Sequence, residues 1–242
     1  MDTPSLFAFG CSYTYGHGLE DCFELYPNGN NGPGKLPTRL GYTNIIAKKI
    51  GRRVINCASP GSSNKLIMHT INMIKQEEYY TVHQGKKLKK LQTYWREKIP
   101  AMNPDTDAVI IQWSYIDRHC VLDQYADVQL DKVENLGPWV KKGRSPKYYK
   151  FVWSTYDDQI SVYHYINYAD LTLKNMGFKK VLHLPPPLLS LHRSKLEKGL
   201  VMADTDITRH SCDKALDGGH PGPLSQQAYA EHLLEDYAEY LK

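Results

Sequence analysis

Four short apolar runs alternate with segments of helical periodicity, and this alternation constrains the fold more than any other feature. The runs cover residues 6–9, 54–57, 108–111 and 180–184, and the helical patterns cover roughly residues 41–50, 63–78, 156–176 and 225–241. Strands separated by helices pair in parallel as βαβ units. The β-branched character of residues 109–111 is typical of a strand that is buried on both faces. We therefore predict an α/β fold with a mostly parallel central sheet.

Composition favours a single globular domain. The chain has 242 residues, of which 41% are hydrophobic and 23% charged, and its net charge is only +4. We find no internal repeat and predict one domain over residues 1–242. The basic run of Lys86, Lys87, Lys89 and Lys90 is interpreted as a solvated helix face, so we expect no nucleic-acid partner.

The cysteines and the apolar segments bear on the compartment. Five cysteines, an odd number without a C-x-x-C pair, favour reduced thiols over a disulfide framework. The N-terminus lacks the pattern of a signal peptide, and no stretch approaches the length of a membrane helix. We predict a soluble, cytoplasmic protein; the sequence does not predict its oligomeric state.

Two segments lack clean periodicity. Residues 27–34, with sequence PNGNNGPG, are predicted to form a surface loop. Residues 115–155 are predicted to form an aromatic-rich lid or insertion. Its aromatic residues include Tyr125, Trp139, Tyr148, Tyr149 and Trp153, and those at residues 139–156 fit either a core or a stacking surface for a sugar ring.

The first chemical motif follows the first predicted strand. Residues 10–16 read Gly-Cys-Ser-Tyr-Thr-Tyr-Gly, and they lie at the carboxyl edge of the sheet, where ligands bind in open α/β folds. A serine on such a turn can expose both its hydroxyl and its backbone N–H. Taken alone, the motif fits equally a helix N-cap formed by Ser12 or Thr14.

The second motif precedes the last predicted helix. Residues 217–221 read Asp-Gly-Gly-His-Pro. A serine hydroxyl needs a base to remove its proton, and an imidazole serves best when a carboxylate fixes its tautomer. The alternative is a surface turn in which Asp217 caps a helix and His220 is solvated. The two motifs together favour Ser12 as a nucleophile with His220 and Asp217 as its partners.

In the order of these blocks the chain resembles the SGNH or GDSL-type hydrolases. Residues 9–16 match the family's G-D-S-x-T-x-G at every fixed position except Cys11, and residues 217–221 match its last block fully. The family also has a glycine after the second strand, matched by Gly61, and a polar residue after the third. The resemblance extends from residue 9 to about residue 230, in short blocks.

The resemblance implies a fold, an activity and roles for particular residues. The fold is a three-layer α/β/α sandwich of flavodoxin-like type, and the activity is hydrolysis of a small-molecule or carbohydrate ester without metal or cofactor. Ser12 attacks the acyl carbonyl, His220 is base and then acid, and Asp217 orients His220. The oxyanion hole comprises the backbone N–H groups of Ser12 and Gly61 and a third donor, for which Ser114 stands nearest.

The sequence departs from the family pattern at two points. Cys11 replaces an aspartate, and we interpret it as a small buried thiol that supports the turn. The G-x-N-D signature is absent from residues 111–118, so Ser114 or Gln112 would have to replace the asparagine donor. We further assign substrate contacts to Tyr15, Gln112 and Trp113.

No metal site is predicted, because the sequence His-Ser-Cys-Asp at residues 210–213 lacks a second ligand pair. Two alternatives to the hydrolase remain open. One is an SGNH-fold binding or structural protein with a weak or silent site, and the other is an acyltransferase that uses an acceptor other than water. Neither the acyl group nor the alcohol of the substrate is determined by the sequence.

Overall fold

The computed structural model describes residues 3–75, 100–124, 131–189 and 191–242. Numbered along the chain, the strands are β1 Ser5–Phe9, β2 Phe23–Leu25, β3 Asn31–Pro33, β4 Arg53–Asn56, β5 Ala108–Gln112, β6 His119–Gln124, β7 Asp131–Leu136, β8 Val181–Leu184 and β9 Val201–Met202. The α-helices are α1 Ser12–Tyr15, α2 Tyr42–Lys49, α3 Asn64–Lys75, α4 Ser145–Phe151, α5 Thr155–Asn175 and α6 Pro223–Leu241. Five strands form a parallel sheet in the order β4-β1-β5-β8-β9.

The sheet is covered by helices on both faces. Successive side chains of a strand point to opposite faces, and here Phe7 and Val109 join a core with residues of α3 and α5. Leu6 and Ile110, one position away, join a second core with residues of α2 and α6. The predicted three-layer α/β/α architecture is therefore confirmed.

The four predicted strands are present as β1, β4, β5 and β8, and the helical patterns correspond to α2, α3, α5 and α6. The structure describes α3 only as far as Lys75, so the end of its predicted range and the lysine run at residues 86–90 lie outside the described residues. Strand β9 was not predicted, because it has only two residues and therefore no periodicity to read.

Both segments predicted to be irregular contain short hairpins. Within residues 27–34, β3 pairs antiparallel with β2, so the prediction of a simple loop is wrong there. Within residues 115–155, β6 and β7 form an antiparallel hairpin and α4 follows it; Tyr125 lies outside the described residues. Neither hairpin was predicted, because the sequences of these strands lack clean alternation of polar and apolar residues. A lid function for this insertion stays a prediction.

Two further observations concern the thiols and the helices. All five cysteines are unpaired thiols. Over the described ranges, no helix combines the length and the apolar character needed to cross a bilayer.

Arg52 ties the C-terminus to the amino edge of the sheet. Its side chain is buried, and its guanidinium donates to the carbonyls of Leu241 at 2.8 Å, Lys242 at 2.6 Å, Ser5 at 3.2 Å and, through a shorter contact, Thr106. One side chain thus satisfies carbonyls from three separate parts of the chain.

Replacing Arg52 by methionine is expected to destabilise the fold by roughly 3 kcal/mol, because it leaves several carbonyls without a donor. For a chain of this size that corresponds to a fall in Tm of about 6–12 °C. Arg53→Met is the matched control, since Arg53 is exposed and its side chain donates to Ser5 Oγ at 2.9 Å. Equal losses in the two variants would contradict this role.

Candidate active site

Ser12 is held on a tight turn at the carboxyl end of β1. Gly10 is required there, because a Cβ atom at Gly10 would lie 2.2 Å from the hydroxyl oxygen of Thr14. Ser12 is then the first residue of α1, which ends at Gly16 in the left-handed region with φ of 79°. The N–H of Gly16 donates to the carbonyl of Ser12 at 2.9 Å. The turn therefore places Ser12 at the edge of the sheet where ligands bind.

The explanation of Ser12 or Thr14 as a helix N-cap is wrong. The N-cap residue of α1 is Cys11, and no side chain makes a capping hydrogen bond there. The Thr14 hydroxyl instead bonds the hydroxyl of Tyr42 at 2.9 Å. Cys11 is fully buried, which agrees with its interpretation as a thiol that supports the turn.

Asp217 orients His220 through three contacts. One carboxylate oxygen, Oδ1, accepts the backbone N–H of Gly219 at 3.1 Å and of His220 at 3.0 Å. The other, Oδ2, is in short contact with Nδ1 of the His220 ring. An ionised carboxylate only accepts, so it holds the proton on Nδ1 and leaves Nε2 as the basic nitrogen.

The same contacts keep Asp217 ionised. Burial alone would raise the pKa of its carboxyl group, but the backbone N–H of His220, the His220 ring and the N–H of Gly219 outweigh burial, and the net pKa is lowered. The alternative of a helix-capping Asp217 is wrong, since the first turn of α6 is capped by Asp213, which accepts from the N–H groups of Leu224 and Ser225.

The two ends of the chain meet at this site. A Cβ atom on Gly18 would lie 2.8 Å from Cγ of Asp217, so the backbone two residues after the first block packs directly against the carboxylate. The His220 ring contacts Tyr13, the residue after Ser12, and His17, with centroid separations of 5.6 Å and 4.5 Å. Among the hydrogen bonds of the described residues, none joins the Ser12 hydroxyl to this ring. Catalytic hydrogen bonds are often long before substrate binds.

Ser114 lies after β5 and is clamped by a residue that the sequence did not single out. The Asn64 side chain accepts the N–H of Ser114 at 2.6 Å and donates to its carbonyl at 3.1 Å. The Ser114 hydroxyl is buried and has no hydrogen-bond partner among the described residues. The backbone of Ser114 is therefore fixed, while its hydroxyl donates to no group among the described residues.

Gly61 adopts a left-handed conformation with φ of 78°, and a second amide lies beside it. A Cβ atom on Gly61 would lie 3.5 Å from Nδ2 of Asn135, a residue of β7. The other amide atom of Asn135, Oδ1, is buried and unpartnered within the described ranges. The insertion thus brings an asparagine amide to the glycine of the second block.

The three residues assigned to substrate contact have other partners. Both N–H groups of the Gln112 amide are used, one by the carbonyl of Trp113 at 3.0 Å and one by that of Pro185 at 2.8 Å. Trp113 is fully buried and donates to His183 at 3.1 Å. Tyr15 is 2% exposed and donates to the carbonyl of Gly34 at 2.8 Å. We therefore propose no substrate contact for these three residues and no oxyanion role for Gln112.

His17 is a second imidazole at the site, and the sequence analysis did not select it. Its Nε2 lies 3.9 Å from Oδ2 of Asp217, and its ring lies against that of His220. Together with Asp217 and His220 it offers three ligand atoms within 4.8 Å of one another. Its place one residue after the first block was the only sequence signal. His210, in the sequence at residues 210–213 that was considered as a metal site, forms a hydrogen bond with the hydroxyl of Thr205 through Nε2.

We expect His17 to make the fold sensitive to acid. Burial and then the charge of His220 lower its pKa from 6.5 to about 4, against a smaller opposing effect of Asp217. Between these two values the unfolded chain binds the extra proton, so stability falls as pH falls from 6.5 towards 4. In His17→Gln the loss of Tm between about pH 7 and pH 5 should shrink by roughly 2–4 °C.

The control for this measurement is His164→Gln, because His164 is exposed on α5. It should keep the wild-type dependence of Tm on pH. A His17→Gln protein whose Tm falls as steeply as that of the wild type would show that this ring does not titrate as described.

Comparisons with known proteins agree with this geometry at the level of the fold. Neither a protein-family model nor a curated protein sequence matches the chain. Among solved structures, TesA aligns over 98% of this chain and 99% of its own, with 11% identity and a TM-score of 0.50. An acetyl xylan esterase from the rumen bacterium Butyrivibrio proteoclasticus aligns over 100% of this chain and 66% of its own, with 12% identity and a TM-score of 0.53.

A lipolytic protein of the G-D-S-L family from Desulfitobacterium hafniense also aligns, over 98% of this chain and 99% of its own, with 10% identity and a TM-score of 0.44. The chain has a three-layer α/β/α fold, which it shares with TesA and the acetyl xylan esterase. Esterases are among the proteins that share this fold.

Proposed function

We propose that the protein is a serine hydrolase of the SGNH/GDSL type that cleaves an ester through an acyl-enzyme. The observation that carries the proposal is the Asp217–His220 pair, which is held in one tautomer against the turn that bears Ser12. A carboxylate, an imidazole and a hydroxyl at the carboxyl edge of a parallel sheet are the components of acyl transfer.

In the proposed reaction, Nε2 of His220 takes the proton of the Ser12 hydroxyl as its oxygen attacks the ester carbonyl. The tetrahedral intermediate collapses, and the His220 imidazolium returns the proton to the departing alcohol. Water then attacks the acyl-Ser12 ester with His220 again as base, which releases the acid and restores the serine. Asp217 stabilises the imidazolium in both steps.

The oxyanion hole is proposed to contain the backbone N–H groups of Ser12 and Gly61. The third donor is either the unused hydroxyl of Ser114 or the amide of Asn135, which lies beside Gly61. Asn135, which lies in the insertion, would supply the amide that residues 111–118 lack in place of the family's asparagine. Each donor aimed at the developing negative charge contributes on the order of 3 kcal/mol to the transition state.

The structurally similar proteins suggest the acyl group of the substrate but not the whole molecule. The likeness to an acetyl xylan esterase favours a small acyl group, such as an O-acetyl ester of a carbohydrate, and the insertion at residues 115–155 would act as a lid over it. The experiment is a steady-state assay of the purified protein with para-nitrophenyl acetate, butyrate and octanoate and with acetylated xylan. We expect turnover of the short esters, and no turnover of any substrate would contradict the proposal.

A second candidate is a binding protein that retains the scaffold with a silent site. It is favoured by the absence of the family's asparagine from residues 111–118. It is also favoured because, among the described residues, no hydrogen bond joins Ser12 to His220. Such a protein would bind acetylated oligosaccharides in a calorimeter without releasing acetate, whereas the hydrolase releases one acetate for each ester cleaved.

A further inference from the structure

Arg118 carries a guanidinium group that lies between two aromatic rings. Its Cζ atom is 4.9 Å from the ring centroid of Tyr115 and 4.9 Å from that of Trp139. Cations are attracted to the faces of such rings, and arginine is more weakly hydrated than lysine, so both contacts hold the group in place. All three residues belong to the insertion at residues 115–155: Tyr115 and Arg118 precede β6, and Trp139 follows β7, so the arginine joins the two ends of the β6–β7 hairpin.

The charge of Arg118 is not compensated by the protein. Its Nε and Nη1 atoms are buried and have no hydrogen-bond partner in the part of the chain that the structure describes. No ion pair among those residues includes Arg118, although Asp117 is its neighbour in sequence. A guanidinium stays charged, and a partly buried charge without hydrogen bonds is costly. An anionic ligand would remove that cost by accepting the unused N–H groups.

Arg118 is connected to the candidate catalytic residues through two tyrosines. The Tyr115 hydroxyl bonds that of Tyr13 at 2.7 Å, and the Tyr13 ring packs edge-on against His220. Burial and the Tyr115 contact raise the pKa of Tyr13, and the charge of Arg118 opposes that rise, which places the charge within electrostatic reach of Tyr13. Two tyrosine side chains therefore separate Arg118 from the His220 ring.

We propose that Arg118 forms a subsite for an anionic oxygen group, carboxylate or phosphate, carried by the ester substrate. This inference rests on the proposed hydrolase function and narrows its substrate to acidic esters. The planar guanidinium offers paired N–H donors that match the oxygens of either group. The two aromatic faces fix its orientation, so the group is arranged before substrate arrives.

The test compares kcat/KM for charged and neutral esters of similar size at constant ionic strength. An anion on the acyl side is tested with para-nitrophenyl hydrogen succinate against para-nitrophenyl butyrate. An anion on the alcohol side is tested with para-acetoxybenzoate against its methyl ester, and a phosphate with para-acetoxyphenyl phosphate. We expect at least one charged ester to be preferred by roughly tenfold or more, and Arg118→Met to abolish the preference.

Lys141→Gln is the matched control, because it removes an exposed positive charge from the same insertion. It should keep the preference. A purely structural arginine would lower Tm in Arg118→Met but leave the ratio of charged to neutral rates unchanged, so that result overturns the proposal. Equal rates for charged and neutral esters with the wild-type protein overturn it as well.

Binding separates this inference from the hydrolase assignment. Calorimetry with Ser12→Ala protein measures the affinity for succinate and for inorganic phosphate, with and without Arg118→Met. Binding that requires Arg118, together with a wild-type protein that hydrolyses no ester, would support the anion site and refute the hydrolase. Ester hydrolysis without a charge preference, together with no binding of either anion, would refute the anion site and leave the hydrolase in place.

Discussion

Replacing Ser12 by alanine is expected to lower kcat for ester hydrolysis by at least ~10⁴-fold while leaving the fold intact. The loss is large because the hydroxyl forms the covalent bond to the acyl group, and no other group in the proposed mechanism does so. The fold should tolerate the change, since the Ser12 hydroxyl makes no hydrogen bond to any described residue. We expect the Tm to stay within about 2 °C of the wild type. Steady-state kinetics and a thermal melt measure both quantities.

Cys11→Ala is the matched control for this experiment. Cys11 adjoins Ser12, is fully buried and carries the other nucleophilic atom of the turn. It should keep kcat within about threefold of the wild type, because a buried thiol that supports the turn takes no part in the covalent step. A result in which Cys11→Ala is inactive and Ser12→Ala retains full turnover would transfer the nucleophile to the thiol.

Replacing Asp217 by asparagine is expected to lower kcat by about 10³–10⁴-fold with little change in secondary structure. The reason is specific to this turn. Oδ1 of Asp217 accepts two backbone N–H groups, so the carbonyl oxygen of an asparagine would take the same place. Its amide nitrogen would then face Nδ1 of His220 and donate to it. The ring proton would move to Nε2, the atom that must accept the serine proton.

Asp204→Asn serves as the control, because Asp204 is an exposed carboxylate whose oxygen lies 3.3 Å from Nε2 of His232. It should leave kcat unchanged. The two Asp217 contacts to backbone N–H groups survive in the amide, so circular dichroism should detect no loss of helix or strand. Full activity in Asp217→Asn would mean that His220 does not depend on this carboxylate for its tautomer.

The central layers could be predicted from sequence because burial imposes local patterns. Strand β5 is apolar at successive positions since it is covered on both faces, and α6 has a helical pattern that follows a glycine-rich turn. The hairpin of β6 and β7 could not be predicted, because its strands form a separate two-stranded sheet and their residues lack clean alternation of polar and apolar types. Strand β9 is defined by its neighbour β8 rather than by its own two residues.

Only some residues of the candidate site could be predicted from the sequence. Ser12, Asp217 and His220 lie in short motifs whose residue types and spacing carry their chemistry, so the sequence alone selected them. Their roles stay predictions. Asn135 and Arg118 both belong to the insertion at residues 115–155. Asn135 matters because it lies beside Gly61, and Arg118 because it lies between Tyr115 and Trp139. Proximity across the chain leaves no trace in a single sequence.

The most direct measurement is covalent labelling of the native protein with a fluorophosphonate, followed by mapping of the modified residue by mass spectrometry. The reagent reacts with a serine only when a neighbouring base activates the hydroxyl. We predict one equivalent of label, on Ser12, and none in the His220→Ala protein. A native, folded protein that takes up no label at Ser12, or takes it up equally without His220, would contradict the account.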